Sequence, residues 1–486
     1  MRIEICILLI ISLFFNFGNA ADSDGKEFVF AFIIDDVVDA PNSGALTGTV
    51  IIIPNSTDSI CTFRYTKYSD NSVVSVRKTA YYGQNNEISF AYDQVFLDTS
   101  YPNYKFNDLS TKDFRIFASC TEVVKLIGKI SDPIKSMGDI FLIPSTKNAG
   151  IEYQLGMPST LTRSKGSFAI LPINQGGTIT INIFGYLNGN LFTQKTSQYD
   201  TTIGQDQHYV TVHPTYMDDD SRSTFFISAS SPIMVAFASY NLVSDNNLDE
   251  GCGITCKPDY GTFMLSPLVP KQCNDLLFPP DQRLITNDFT SRVYVAPPSV
   301  SSKCNEVFSA TFFDKNDNVN GDHIIITAYN RSFYDFGGKS PEMASSSYSG
   351  QMPMVRHGSV LNLPDTFTAY GHFLHYIPSI LEWVTGKTQF YTLTKNCFME
   401  FYADQEGSNA DNIKIDGINI NNYDFTFKHM FYYKKTFGHF ILELPGYGLH
   451  TIENSGNYVL YVVCKQVNGP YNAAGYLTGF NQRKQQ

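Results

Sequence analysis

The side chains in this sequence with potential for chemistry are nine histidines, two acidic loops and a group of cysteines. His372 and His375, in Gly371-His372-Phe373-Leu374-His375, come nearest to a metal-binding pair. Two imidazoles three residues apart line up on a helix but face opposite sides of a strand. Their surroundings read as strand or loop, and no H-E-x-x-H pattern accompanies them, so a structural pair is predicted. The run Asp314 to Asp322 begins like a calcium loop. It carries Val319 where that loop needs Gly and Ile325 where it needs the bidentate Glu. Asn320-Gly321 explains the segment as a hairpin turn. Asp218-Asp219-Asp220 reads as a solvated turn. No metal and no cofactor is expected.

Nucleophile signatures are missing: there is no G-x-S-x-G and no phosphate-binding G-x-x-x-x-G-K-[ST]. Ser359 lies near His357, but a triad is assembled by the fold and not by adjacency. The chain is read as a non-enzyme. Paired carboxylates for glycoside cleavage carry no spacing rule, so a secreted glycan hydrolase stands as the alternative, beside a structural coat component.

The N-terminus has the three parts of a secretory signal: Arg2, the apolar run Ile5 to Phe15, and small residues at Gly18 and Ala20. Residues 1–20 are predicted to be removed. The apolar run is too short to span a bilayer of about 30 Å as a helix, and the polar ending Asn481 to Gln486 argues against a lipid-anchor signal. A secreted, extracellular protein without membrane insertion follows. Cys6 leaves with the signal, and Cys61, Cys120, Cys252, Cys256, Cys273, Cys304, Cys397 and Cys464 remain. An even count in an oxidising compartment predicts four disulfides. Local sealing pairs Cys61 with Cys120 and Cys397 with Cys464. The middle four allow three connectivities, and a zinc site at Cys252-x3-Cys256 with Cys273 and Cys304 is the rival reading. Asn55-Ser56-Thr57 and Asn330-Arg331-Ser332 are sequons. They predict N-glycans on Asn55 and Asn330, at exposed loops or strand ends.

The elements that must position these residues are strands. There are 38 Phe and 30 Tyr against one Trp, and only 17% of residues are charged, which favours an all-β protein. The net charge of −11, without basic blocks, argues against nucleic-acid partners. Short apolar runs recur, among them Phe28 to Ile34, Val50 to Ile53, Phe168 to Ile173, Val307 to Phe313 and Tyr458 to Val463. Phe225 to Ala229 and Ile233 to Tyr240 read as two strands split by a Ser-Pro turn. Gly176-Gly177 reads as a hairpin turn. Thr121 to Lys129 is the best helix candidate, although its β-branched residues fit a strand equally well. Punctuation near 144–150, 244–253 and in the Ser-rich loop 341–353 suggests boundaries. The predicted fold is tandem antiparallel β-sandwich-like domains braced by disulfides: an N-terminal β domain over 21–149 and a region of two or three β units over 150–486.

That second region carries four stretches in a telling order. They are Gly176-Gly177-Thr178-Ile179-Thr180-Ile181, Ser230-Ser231-Pro232-Ile233-Met234-Val235, Ile415-Asp416-Gly417, and Leu449-His450-Thr451-Ile452 followed by Gly475-Tyr476-Leu477-Thr478-Gly479. Through them residues 150–486 resemble the N-terminal domain of the IgG Fc-binding protein, a secreted, mucus-associated family. The resemblance implies a β-rich extracellular binding or matrix module without catalysis. The function expected is recognition of an extracellular protein or glycan in mucus, matrix or host defence.

Overall fold

The computed structural model describes residues 20–34, 46–99, 106–158, 166–212, 223–243, 258–301, 303–336, 341–363, 368–393 and 396–483. Cys252, Cys256 and Asp218 to Asp220 lie outside the described residues. The protein is all-β, with antiparallel sheets joined by turns and single-turn helices. Its strands fall into four units that repeat one connectivity.

Each unit is built on a long spine strand that leaves one sheet and enters a second. In the first unit the spine is Ile116–Asp132. Its front half pairs with Gly25–Phe30 and Ser59–Thr66, and its back half with Thr47–Pro54 and Met137–Ile143. In the second unit the spine Ser223–Leu242 takes Gly150–Gly156 and Thr178–Leu187 in front, then Gly166–Pro172 and Asp259–Met264 behind. In the fourth, Gly448–Lys465 takes Val384–Thr392 and Lys414–Ile415, then Cys397–Ala403 and Ala473–Leu477. The crossing residues correspond. Val124, Ile233 and Tyr458 each pair with the first residue of the opening strand and the last residue of the second. A register shift lies near the start of each opening strand, at Gly25/Glu27, Gly150/Glu152 and Thr385/Gly386. Such bulges bend a strand and add twist, which lets the spine turn from one sheet to the other.

The third unit keeps this connectivity with a broken spine. Glu342–Ser347 pairs with Asp281–Thr286 and Phe308–Asp314, while Met354–Leu363 pairs with Thr290–Val295 and Thr368–Ile377. The break falls at Gly350, whose φ of 144° favours glycine, and at Pro353, which lacks an N–H for the ladder.

The units close into a ring. The last strand of each unit packs near the centre: Met137–Ile143 lies against Asp259–Met264 and Ala473–Leu477, and Thr368–Ile377 lies against the same two. The back-half sheets are covered on both faces. Val50 and Ile52 face their own core, while Ile51 and Ile53 enter the core of the fourth unit. Phe401 and Leu460 stay home, while Tyr402 and Tyr461 enter the third. Tyr294, Val355 and Leu374 enter the second, whose Ala169, Leu171 and Met234 enter the first. A strand covered on both sides reads as a near-continuous apolar run, hence Val50-Ile51-Ile52-Ile53 and Tyr458 to Val463. Outer strands alternate instead, as in Val73–Ala80 and Thr178–Leu187.

Several expectations are corrected. Thr121 to Lys129 is spine strand, because its β-branched residues fill paired positions on two sheets. Ser230-Ser231-Pro232 does not split two strands but marks where one spine changes sheets. Gly176-Gly177 joins strands that are not partners, since Gly166–Pro172 and Thr178–Leu187 pair with different halves of the spine. Ser345 to Ser347 belong to a strand, and the loop is confined to 348–353. The strands on either side of 244–257 pair with one another, so that segment lies within a unit.

Candidate functional site

The broken third spine opens a groove where the four units converge. Pro144, Leu265 to Pro267, Tyr376 and Phe480, at or just past the ends of the four central strands, surround a cavity of about 220 Å³. It continues past Val269, Gln351 and Arg483 into an outer lobe of about 560 Å³, walled by Lys271 to Phe278 and Gly350. Together the lobes fall in the size range of ligand sites.

Glu382 anchors the inner lobe. The sequence Ser379-Ile380-Leu381-Glu382 is a capping box: the Ser379 N–H donates to Glu382 Oε2 at 2.6 Å. Tyr376 Oη donates to the same oxygen at 2.9 Å, and Gln351 Nε2 to Oε1 at 2.6 Å. Burial raises the Glu382 carboxyl above its ordinary value, and the Arg283 guanidinium at 3.8 Å offsets only part of this. Arg283 itself is paired with Asp281 at 3.1 Å. The Glu382 carboxylate is thus filled by donors, an arrangement that holds the wall. Arg483 reaches in from the C-terminal segment. Its Nη2 donates to the Pro279 carbonyl, and its buried Nη1 has no hydrogen-bond partner. Burial lowers the Arg483 pKa.

The outer lobe is apolar at its lip. Leu276 is 62% exposed and Phe278 64%, two large apolar side chains two residues apart on the wall of the cleft. Their segment is braced by the Cys273–Cys304 disulfide, by a Lys271–Glu306 ion pair, and by the Asn274 N–H donating to Glu306 Oε2 at 3.0 Å. Leu277 N–H donates to the Tyr348 carbonyl at 2.8 Å.

The other residues singled out in the sequence lie elsewhere. Cys61 is bonded to Cys120 and Cys397 to Cys464, each pair directly opposite in register, with Cys120 and Cys464 on the spines and their partners on the neighbouring strands. The disulfide between Cys273 and Cys304 removes both from the zinc reading, because a bridged thiol cannot ligate as thiolate. Among the described residues no group of three His, Cys, Asp or Glu could hold a metal ion. Asp314 Oδ1 accepts the N–H groups of Asn316 and Asp317, an Asx turn within the hairpin. His372 and His375 face opposite sides of Thr368–Ile377: the first contacts His357, the second stacks on Tyr461. Asn55 follows Thr47–Pro54 directly, and Asn330 sits in a turn before Ser332–Asp335.

Two further clusters look chemical. His450 Nδ1 lies 2.7 Å from Asp416 Oδ2, and its Nε2 lies 3.0 Å from Thr392 Oγ1. This is the order of a nucleophile relay. Thr392 is fully buried, however, and its hydroxyl donates to the Gly446 carbonyl at 3.1 Å, so the set ties the Asp416-Gly417 turn to the sheet. Arg356 Nη1 meets Glu400 Oε2 at 2.6 Å between the third and fourth units, both side chains fully buried. Burial alone would raise Glu400, but Arg356 and His439 hold it well below the carboxylate range.

The groove residues carry no sequence motif except the Ser379-to-Glu382 capping pattern and the Gly350 and Pro353 punctuation. Among the described residues no helix is long and apolar enough to cross a membrane. No protein-family model matches this chain, and no curated protein matches it.

Proposed function

We propose that this chain is an extracellular, glycosylated recognition protein that binds an extracellular protein or glycan through the groove, without catalysis. The observation that carries this reading is the apolar lip, Leu276 and Phe278, held out beside a cleft by a disulfide-braced segment. Rigid display of exposed apolar side chains lowers the ordering cost of binding. Three disulfides among the described residues agree with an oxidising compartment, and the acidic net charge disfavours nucleic acid. Two stretches behind the likeness to the IgG Fc-binding family are neighbours in space: Ile415 pairs with Ile452. The test is a binding screen of the purified chain against mucins, microbial glycans and immunoglobulin Fc at physiological salt. A saturable ligand lost on combined Leu276→Ser and Phe278→Ser supports the reading. Binding unaffected by that pair, or no ligand at all for the folded chain, overturns it.

A further inference from the structure

We propose that Asn55 carries an N-linked glycan whose first sugar is seated in the cavity at the seam where the ring closes. The proposal rests on the extracellular reading, because N-glycans are added on the secretory route.

The seam joins the two ends of the described fold. Ser23 N–H donates to the Phe480 carbonyl at 2.9 Å, and Gln482 N–H to Asp22 Oδ2 at 2.9 Å. Beside it lies a cavity of about 270 Å³ bounded by three parts of the chain. The N-terminal segment supplies Ala21 and Asp24, the first unit supplies Asn55, Tyr82 and Lys125, and the fourth supplies Thr388 and Gln389. That volume equals about nine water-sized groups, room for a sugar ring and not for a branched chain.

The chemistry of the walls suits a sugar. Tyr82, 39% exposed, offers an aromatic face for the C–H side of the ring. Gln389 and Thr388 offer polar atoms for its hydroxyls. Ser56 and Lys387, also at the cavity, lie on the solvent side, where further sugars would leave. Asn55 Nδ2 donates to Asp24 Oδ2 at 3.1 Å, and Asp24 also takes Lys125 Nζ at 3.1 Å. In the transfer, Asn55 Nδ2 bonds to the anomeric carbon of a lipid-diphosphate-linked oligosaccharide. The lipid diphosphate leaves, and one amide proton is released. The second N–H stays on Asn55 Nδ2, leaving one donor for the Asp24 carboxylate.

The test uses the full chain made in a eukaryotic secretory host. Glycopeptide mass spectrometry should find Asn55 occupied in protein recovered from the medium. Peptide N-glycosidase should release that glycan at least tenfold more slowly from native than from unfolded protein. Thr57→Ala removes the sequon while leaving the Asn55 amide, and should lower Tm by about 2 °C. An unmodified Asn55 in secreted protein, or equal release rates in both states, overturns the seat and leaves the extracellular reading standing. A chain that stays in the cytosol overturns both.

Discussion

Asp259, the first residue of one central strand, accepts the main-chain N–H of Ala473, the first residue of another, at 2.8 Å. The same carboxylate accepts Asn472 Nδ2 at 2.6 Å and the His372 N–H at 3.2 Å. One side chain therefore joins the second, third and fourth units. Asp139 does the corresponding work from the first unit, taking the N–H groups of Thr262 at 2.9 Å and Gly475 at 3.4 Å. Central strands belonging to different units have no continuous ladder between them, so buried acceptors supply the missing bonds.

Asp259→Ala would leave three or more buried donors without an acceptor. At about 1–3 kcal/mol for each unsatisfied group, the variant should lose at least about 3 kcal/mol in urea unfolding, with the loss shared by all four units as one transition. An unchanged midpoint would show that the ring holds without this carboxylate.

Acid should loosen the third unit. Burial lowers His372 to about 4 and His375 to about 3, and His357 lies well below its ordinary value. Each is neutral in the fold and charges more readily when unfolded. Their contribution is therefore present above about pH 6.5 and is lost as pH falls through the folded values. Asp139 and Asp259 act oppositely: burial holds both well above the carboxylate range, so their contribution is kept at low pH and lost as pH rises through those values. Both ring nitrogens of His372 are buried without partners, so His372→Phe should flatten the loss between pH 6.5 and 4, measured as Tm against pH.

The disulfides should separate by role. Cys397–Cys464 closes 67 residues across a buried spine. Cys397→Ser should cost about 2–5 kcal/mol and reduce secretion. Cys273–Cys304 closes only 31 residues near the groove. Cys273→Ser should cost less stability while weakening any ligand held at Leu276 and Phe278. Equal losses of stability with binding intact would contradict this division.

Arg356→Met should destabilise by about 3–5 kcal/mol, because it strands the buried Glu400 charge. The effect should persist in 0.5 M salt, since a fully buried pair is little screened. Loss of the difference at high salt would place the pair in contact with solvent.

The sequence by itself determined the all-β class, through its aromatic and β-branched runs and scarce charge. It also pointed to the two outer disulfides, because Cys61, Cys120, Cys397 and Cys464 are grouped toward the two ends of the chain. It placed the hairpin between Phe308–Asp314 and Asp322–Ile326 as well, but not its form: the link runs over residues 315–321, with Asn320-Gly321 at its end and not as a two-residue turn. Only the tertiary structure decided that Phe225–Ala229 and Ile233–Tyr240 form one strand, because a Ser-Pro step reads alike in a turn and at a sheet crossing. The ring was equally hidden. Val50-Ile51-Ile52-Ile53 announces a strand buried on both faces, but not that the second face belongs to the fourth unit. The groove came last: Glu382, Arg483, Leu276 and Phe278 lie far apart in sequence or carry no motif, and meet only because four units converge on a spine broken at Gly350.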